Sequence, residues 1–376
     1  MMPREHVLII RFSALGDVAM VVPVVFSLAK AYPDVRFTVL SRKGMRPLFA
    51  HIAPNVGFME ADLKNEYRGV KGLNALYRRL AAKQFTAIAD LHSVLRSGYL
   101  RARFNIERYK VAHIDKHRAQ RRRLTAGGER KLMEPLPTSF QNYADVFARL
   151  GYPVTVSFTS IFPNGRGDIS LLPQALTGID SPSARRRGPW IGVAPFAAHA
   201  GKMYPLNLME VAICQIVERH PQCRIFLFGG GVDEQAVMTA WQTKYSANCV
   251  SVPDNIRGLQ KELILMSHLD VMLSMDSANM HLASLVNVPV VSVWGATHPF
   301  AGFMGWRQDE RNAVQLDLPC RPCSIFGNRK CRIGDYPCMK NIAPEMIVDK
   351  IDSVLSAAGD NRTATASSVQ QYQINN

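Results

Sequence analysis

Nowhere in the 376 residues is there an apolar run long enough for a membrane span. The strongest runs, 7–10 and 18–29, fall short of the roughly 18 to 20 uninterrupted residues required. No G-x-G-x-x-G and no Walker A sequence occurs, which argues against dinucleotide dehydrogenases and P-loop enzymes. No segment repeats at a solenoid period. Cysteine is scarce, seven in all, and an odd count in so long a chain is not the signature of a disulfide-stapled scaffold. Acidic residues are outnumbered 30 to 45, and the net charge of +15 biases the surface toward nucleotides, phosphorylated sugars, acidic lipid head groups or nucleic acid. Charge alone does not choose among these. Arg4 precedes apolar residues as in a secretory leader, but Arg11 and Asp17 interrupt them and no small-residue cleavage site follows, so a cytoplasmic chain is expected.

What is present is the composition of a packed protein, and the length suits two domains of roughly 150 to 200 residues each. Short β-branched or apolar runs at 7–12, 36–40, 86–91 and 108–112 read as strands. Between the first two, Val18, Val21, Val22, Val25, Leu28 and Ala29 recur at helical spacing. This βαβ grammar predicts a parallel sheet. A stretch rich in Pro, Gly and Ser, ending in Arg185, Arg186 and Arg187, marks a boundary. The expected division is 1–170, a linker over 171–188, a second domain over 189–358 and a frayed tail over 359–376. The second domain repeats the grammar, with strands at 190–194, 224–228, 249–252, 271–274 and 290–294. Helices are expected near 208–220, 235–244, 260–267 and 280–286, with a closing one over 344–357.

Four strand-to-helix turns carry candidate chemistry. In the first, Ser13, Gly16 and Asp17 follow a strand where backbone amides and a helix N-terminus face the ligand edge of the sheet. Asp17 is either a first-turn acid favoured by the helix dipole or a reactive carboxylate. The second is Asp276-Ser277-Ala278-Asn279-Met280-His281, where Ser277 can cap a helix whose free amides bind a diphosphate. His281 is either part of that anion site or a core histidine. In the third, 196–205, Lys202 can donate to phosphate oxygens or is a solvated loop lysine. The fourth, Gly229-Gly230-Gly231, lets backbone approach a ligand, with Asp233 and Glu234 placed to meet hydroxyls.

The order of these motifs, from "VLIIRFSALGDVAMVVPVV" through "IGVAPFAAHAGKMYP" and "IFLFGGGVDEQ" to "DSANMHLASLVNVPVVSVWGATHP", resembles glycosyltransferase family 9, the ADP-heptose:lipopolysaccharide heptosyltransferases. The resemblance implies an α/β protein of GT-B architecture, two facing Rossmann-like domains with a cleft between them. It implies inverting transfer from ADP-heptose to an inner-core, lipid-linked saccharide, with no cofactor required. By similarity, Asp17 is the base, Lys202 contacts phosphate, and Asp276, Ser277, Ala278, Asn279 and His281 bind donor; Gly230 and Glu234 of the glycine loop are expected to join them. Ala278 stands where the family often has Gly, and Trp294-Gly295-Ala296-Thr297 where it has a Phe-Gly-Pro-Thr-like stretch. The same fold using another nucleotide sugar, or binding one without turnover, is the alternative.

On the acceptor side the resemblance places Ser13, Gly16, Asp90, His92 and Arg96. The basic run 108–131, nine Lys or Arg against Asp115 and Glu129, adds Arg118 and Arg121. Contact with the inner membrane surface fits this run, and no nucleic-acid module is recognised. Cys320, Cys323, Cys331 and Cys338 cluster late in the chain. They read either as a structural zinc site opened by a C-x-x-C pair or as reduced thiols or a disulfide.

Overall fold

The computed structural model of the chain describes residues 5–50, 52–178 and 188–357. These residues form two compact α/β units. One is built from the described residues up to Arg121 with Pro135–Pro163 and Ala301–Trp306, the other from Arg122–Glu134, those of Asn164–Phe300, and those from Arg307 onward. The division does not follow chain order. Lys131 Nζ donates to the carbonyls of Cys320 (3.2 Å) and Pro322 (3.0 Å), holding Arg122–Glu134 in the second unit. Ser139 N–H donates to Gly302 O at 3.0 Å and the Trp306 indole to Phe158 O at 2.9 Å, holding Ala301–Trp306 in the first. The expected tail over 359–376 and the run Arg185, Arg186, Arg187 lie outside the described residues.

The first unit carries β1 (His6–Ile10), β2 (Arg36–Ser41), β3 (Val56–Glu60), β4 (Ala87–Asp90) and β5 (Lys110–His113), all parallel, in the order β3-β2-β1-β4-β5. Val7, Leu8, Ile9 and Ile10 are fully buried, as expected of a parallel strand covered on both faces. β3 has no counterpart among the expected strands. It lies at the sheet edge, contains Gly57 and leaves every residue half-buried, so it carries no apolar run to read. The apolar stretch after β1 forms two helices, Leu15–Ala19 and Val21–Ala31. Pro23 sits in the first turn of the second, where its missing N–H leaves no bond unmade.

The second unit carries β6 (Trp190–Ala194), β7 (Arg224–Leu227), β8 (Cys249–Ser251), β9 (Val271–Met275), β10 (Val290–Val293) and β11 (Ala313–Val314), also all parallel, in the order β11-β10-β9-β6-β7-β8. β8 stops at Ser251 because Val252 and Pro253 open a short helix, Val252–Asn255. A helix over 344–357 places Ile347 and Ile351 in the core with Val193, Ile213 and Leu273.

In each sheet the strand order reverses once, between β1 and β4 and between β6 and β9. In open α/β sheets ligands bind outside the carboxyl ends of strands at such a reversal. The amino ends of β6 and β9 are pinned by Asp270, 8% exposed. Its N–H donates to Trp190 O at 2.8 Å, and its Oδ2 accepts from Trp190 N–H at 2.8 Å. Asp270→Ala is expected to cost about 1–3 kcal/mol by stripping an acceptor from a buried amide. Asp270→Asn, which keeps an oxygen there, should cost less. Urea midpoints check the order, and equal midpoints for wild type and Asp270→Ala would contradict it.

Candidate active-site residues

The turn after β1 enters helix Leu15–Ala19, where Asp17 occupies the third position and accepts the Ala14 N–H through Oδ2 at 3.1 Å. That is the capping arrangement its position favours. The same oxygen lies 2.6 Å from Arg11 Nη2. Arg11 is itself anchored: Nη1 donates to Leu91 O at 2.6 Å, its own carbonyl accepts from Ser41 Oγ at 2.6 Å, and its guanidinium lies 5.9 Å from the Tyr143 ring centroid. Tyr143 Oη donates to Asp17 O at 3.3 Å. The carboxylate is therefore gripped by a buried cation, yet its side chain keeps 32% exposure. Ser13 beside it is half-buried, and Gly16 is buried inside the helix.

β4 delivers the neighbouring group. Asp90, expected on the acceptor side, is fully buried and its carboxylate is committed. Oδ1 accepts the N–H groups of His92 (3.0 Å) and Ser93 (2.9 Å), and Oδ2 lies 3.1 Å from Arg101 Nη1. A carboxylate so placed shapes the turn that presents His92. The His92 ring stands edge-on to Phe12, with centroids 5.8 Å apart, and its buried Nδ1 has no hydrogen-bond partner among the described residues. Burial, then the Arg11 and Lys116 cations, push its pKa down to about 3, so the imidazole is neutral near pH 7.

Ser13, His92 and Arg96 line a cavity of about 320 Å³ with Phe12, Arg42, Leu63, Val94 and Leu95. It shares Arg42, Leu63 and Arg96 with a larger one of about 680 Å³, where Lys43, Lys64 and Arg79 face Glu60, Asp62 and Glu66. Arg42 and Tyr143 are lone residues outside any motif, assembled only by the fold, and Arg11, although it opens the first turn, carried no role that the sequence could display. Arg118 is exposed, while Arg121 is half-buried with its guanidinium 5.3 Å from the Phe303 ring centroid.

In the second unit the ends of β6 and β9 meet through a salt bridge, with Lys202 Nζ 2.8 Å from Asp276 Oδ2 and side-chain exposures of 14% and 3%. Two expected donor groups, from loops 74 positions apart, are thus in direct contact. Ser277 occupies the N-cap of helix Ala278–Leu285, but its hydroxyl makes no capping bond and sits 3.3 Å from Ser274 Oγ. The first-turn amides are therefore not covered by the expected cap. Asn279 is half-buried on this helix and His281 is buried, 6% exposed. Glu234, expected to meet ligand hydroxyls, instead spends Oε2 on the Gly230 (2.8 Å) and Gly231 (3.3 Å) amides, fixing the glycine loop.

Cys320, Cys323, Cys331 and Cys338 are free thiols. Among the described residues no group of three or more His, Cys, Asp or Glu is placed to hold a metal ion. Burial pushes the Cys338 pKa up to about 11 and raises that of Cys323. Among the described residues the four cysteines are thus not gathered into the set that their spacing suggested for a structural zinc.

His92 yields a pH prediction. Its folded pKa of about 3 lies below the ordinary 6.5. Between those values the unfolded chain binds a proton that the folded one refuses, so its contribution to stability is whole above pH 6.5 and is lost as pH falls. Urea midpoints should therefore drop less between pH 7.5 and 5 for His92→Gln than for wild type. Equal drops would show that His92 titrates normally in the fold.

The family model for glycosyltransferase family 9 (heptosyltransferase) matches residues 73–333. The lipopolysaccharide core heptosyltransferase OpsX of Haemophilus influenzae is 25% identical over 296 residues, 77% of this chain and 79% of that one. A lipooligosaccharide heptosyltransferase 2 of Campylobacter jejuni is 30% identical over 86 residues, 23% of this chain and only about a quarter (26%) of its own length. The structure of E. coli ADP-heptose lipopolysaccharide heptosyltransferase II superposes with a TM-score of 0.64 at 16% identity, covering 94% of this chain and 99% of the other, a likeness of fold. With two parallel α/β units of the GT-B kind, and a family match across more than half of its length, the chain belongs to glycosyltransferase family 9, the heptosyltransferase family.

Proposed function

We propose that the chain transfers heptose from ADP-heptose to the inner-core saccharide of lipopolysaccharide or lipooligosaccharide, with inversion at the anomeric carbon and Asp17 as general base. The observation that carries this reading is the Arg11–Asp17 pair, a part-exposed carboxylate held by a buried cation at the carboxyl end of β1, beside the strand-order reversal. The donor and acceptor are supported by the names of its relatives, one described by ADP-heptose and another by the lipopolysaccharide core.

In this mechanism the acceptor hydroxyl gives its proton to Asp17 as its oxygen bonds to the anomeric carbon, while the bond from that carbon to the diphosphate oxygen breaks and ADP leaves. Arg11 keeps the carboxylate aimed. Charge developing on the diphosphate is met by Lys202 and by the first-turn amides of helix Ala278–Leu285, with Asp276 holding the ammonium in place. Lys202 supplies the positive charge on the leaving group, and the mechanism calls for no cofactor. Phosphate on the acceptor is assigned to Arg96, Arg118 and Arg121, with His92 as a neutral hydrogen-bonding group. Among the described residues no helix is long and apolar enough to cross a membrane. We assign the enzyme to the cytoplasm, working at the inner membrane surface where a lipid-linked acceptor is presented; nucleic acid has no part in this reading.

Release of ADP from ADP-heptose only when acceptor is present separates the transferase from a non-catalytic binder. A panel of nucleotide sugars separates heptose from other donors. Asp17→Asn keeps an oxygen that can cap the helix, so folding and donor affinity should persist while kcat falls by roughly 10²- to 10⁴-fold, as for loss of a positioned base. A fold-competent Asp17→Asn enzyme turning over at the wild-type rate would reduce Asp17 to a cap. Lys202→Ala is expected to weaken both donor binding and turnover, because a diphosphate contact acts in ground and transition states alike. Titration with ADP-heptose alongside steady-state rates checks the contrast, and unchanged donor affinity would contradict the role given to Lys202.

A further inference from the structure

The segment bearing the cysteines has a structural connection that its sequence does not announce. It packs against Lys202. The Gly201 N–H donates to Gly327 O at 3.2 Å, and the Gly201 carbonyl accepts from Ala296 N–H at 2.8 Å. Ala296 O in turn accepts the N–H groups of Cys323 and Ser324, each at 3.1 Å. Ser324, 1% exposed, accepts the Gly327 N–H through Oγ at 2.9 Å. Arg321, 4% exposed, ties the same strands of backbone together: its guanidinium donates to the carbonyls of Trp294 (3.1 Å) and Thr297 (3.0 Å), and to those of Gly295 and Leu316.

At the centre of this lattice Gly327 adopts φ +75, and a Cβ there would lie 2.6 Å from Lys202 Cγ and 3.2 Å from both Cδ and Cε. The contact with Cγ is shorter than packed carbons allow, and Cγ is too near the backbone to swing clear cheaply. The bare backbone of Gly327 thus forms the surface along which the Lys202 stem lies on its way to Asp276.

We propose that the segment from Arg321 to Gly327 is a clamp that sets the Lys202 ammonium in the donor phosphate site, with Gly327 as the positioning residue. The proposal rests on Lys202 being the diphosphate contact, but its geometric core, the placement of Nζ on Asp276, is separable from that reading. Gly327 touches no reacting atom. It acts through the lysine, and the loop that carries it is built on the buried arginine's bonds to the turn after β10.

Two readouts on the full-length protein test this. The first is acylation of Lys202 by a small amine-reactive reagent, quantified by peptide mass spectrometry. The second is ADP affinity by calorimetry. Gly327→Ala is expected to displace the stem, raise the rate of Lys202 acylation several-fold and weaken ADP by roughly ten- to hundredfold, the scale of one charge-assisted contact. In a Lys202→Ala background Gly327→Ala should cost ADP affinity almost nothing more, because the obstructed stem is gone. Gly334→Ala controls for backbone strain: Gly334 has φ +113 in the same segment, but a Cβ there meets nothing within 4 Å, so acylation and affinity should stay at wild-type values. Should Gly327→Ala not fold, Ser324→Ala loosens the same loop without adding atoms and should shift both readouts in the same direction, by less. Unchanged Lys202 acylation in Gly327→Ala, or additive losses in the double variant, would overturn the clamp. Raised acylation with ADP affinity unchanged in both Gly327→Ala and Lys202→Ala would keep the clamp and remove the phosphate role of Lys202.

Discussion

A carboxylate at the carboxyl end of a buried parallel strand must find a cation, and much of the chemistry here follows from how that requirement is met. Asp276 after β9 takes Lys202, Asp90 at the end of β4 takes Arg101, and Asp17 after β1 takes Arg11. Leaving a buried charge without its partner carries an energetic penalty, so each pair tends to hold its two groups together. The three pairs nevertheless differ in what they leave available. Asp90 is sealed and its oxygens are consumed by the turn it shapes. Asp17 is paired but still part-exposed, and Lys202 offers its remaining donors beside a helix whose first turn has no side-chain cap. Pairing orients the groups, and exposure decides which of them can react.

The two units solve the same problem with nearly the same topology. Counting strands within each unit, the orders are 3-2-1-4-5 and 3-2-1-4-5-6, with the reversal beside the first strand in both. In the first unit that position presents an acid and a neutral imidazole, in the second a lysine and open helix amides. In the proposed transfer, the carboxylate of the first set would receive a proton and the second set would meet negative charge.

Much of the fold was legible because most of the strands are runs of buried β-branched or apolar residues, whereas β3 and β11 lie at sheet edges and carry little such signal. Asp17, Lys202 and Asp276 stood out as candidates in the sequence because they follow strands, and the fold gives each an ionic partner. Their partners were harder to see: Arg11 reads as an interruption in an apolar strand, and Tyr143 comes from a helix 126 positions away. Asp90 and Glu234 were assigned ligands because sequence gives no account of backbone amides, and the local N–H groups reach both carboxylates first. The cysteine spacing suggested a metal, but what organises that segment is an arginine: Arg321 and its carbonyl partners carry no pattern that a sequence could display.

The central claim is a single displacement in which Asp17 takes the acceptor proton while the nucleotide leaves from the opposite face. The anomeric configuration of the product tests it most directly. One round of transfer from ADP-heptose of defined configuration to a lipid-linked core saccharide, read by NMR of the new linkage, should give an anomeric centre opposite to that of the donor. A product that retains the donor configuration would require a covalent or front-face route and would contradict the account.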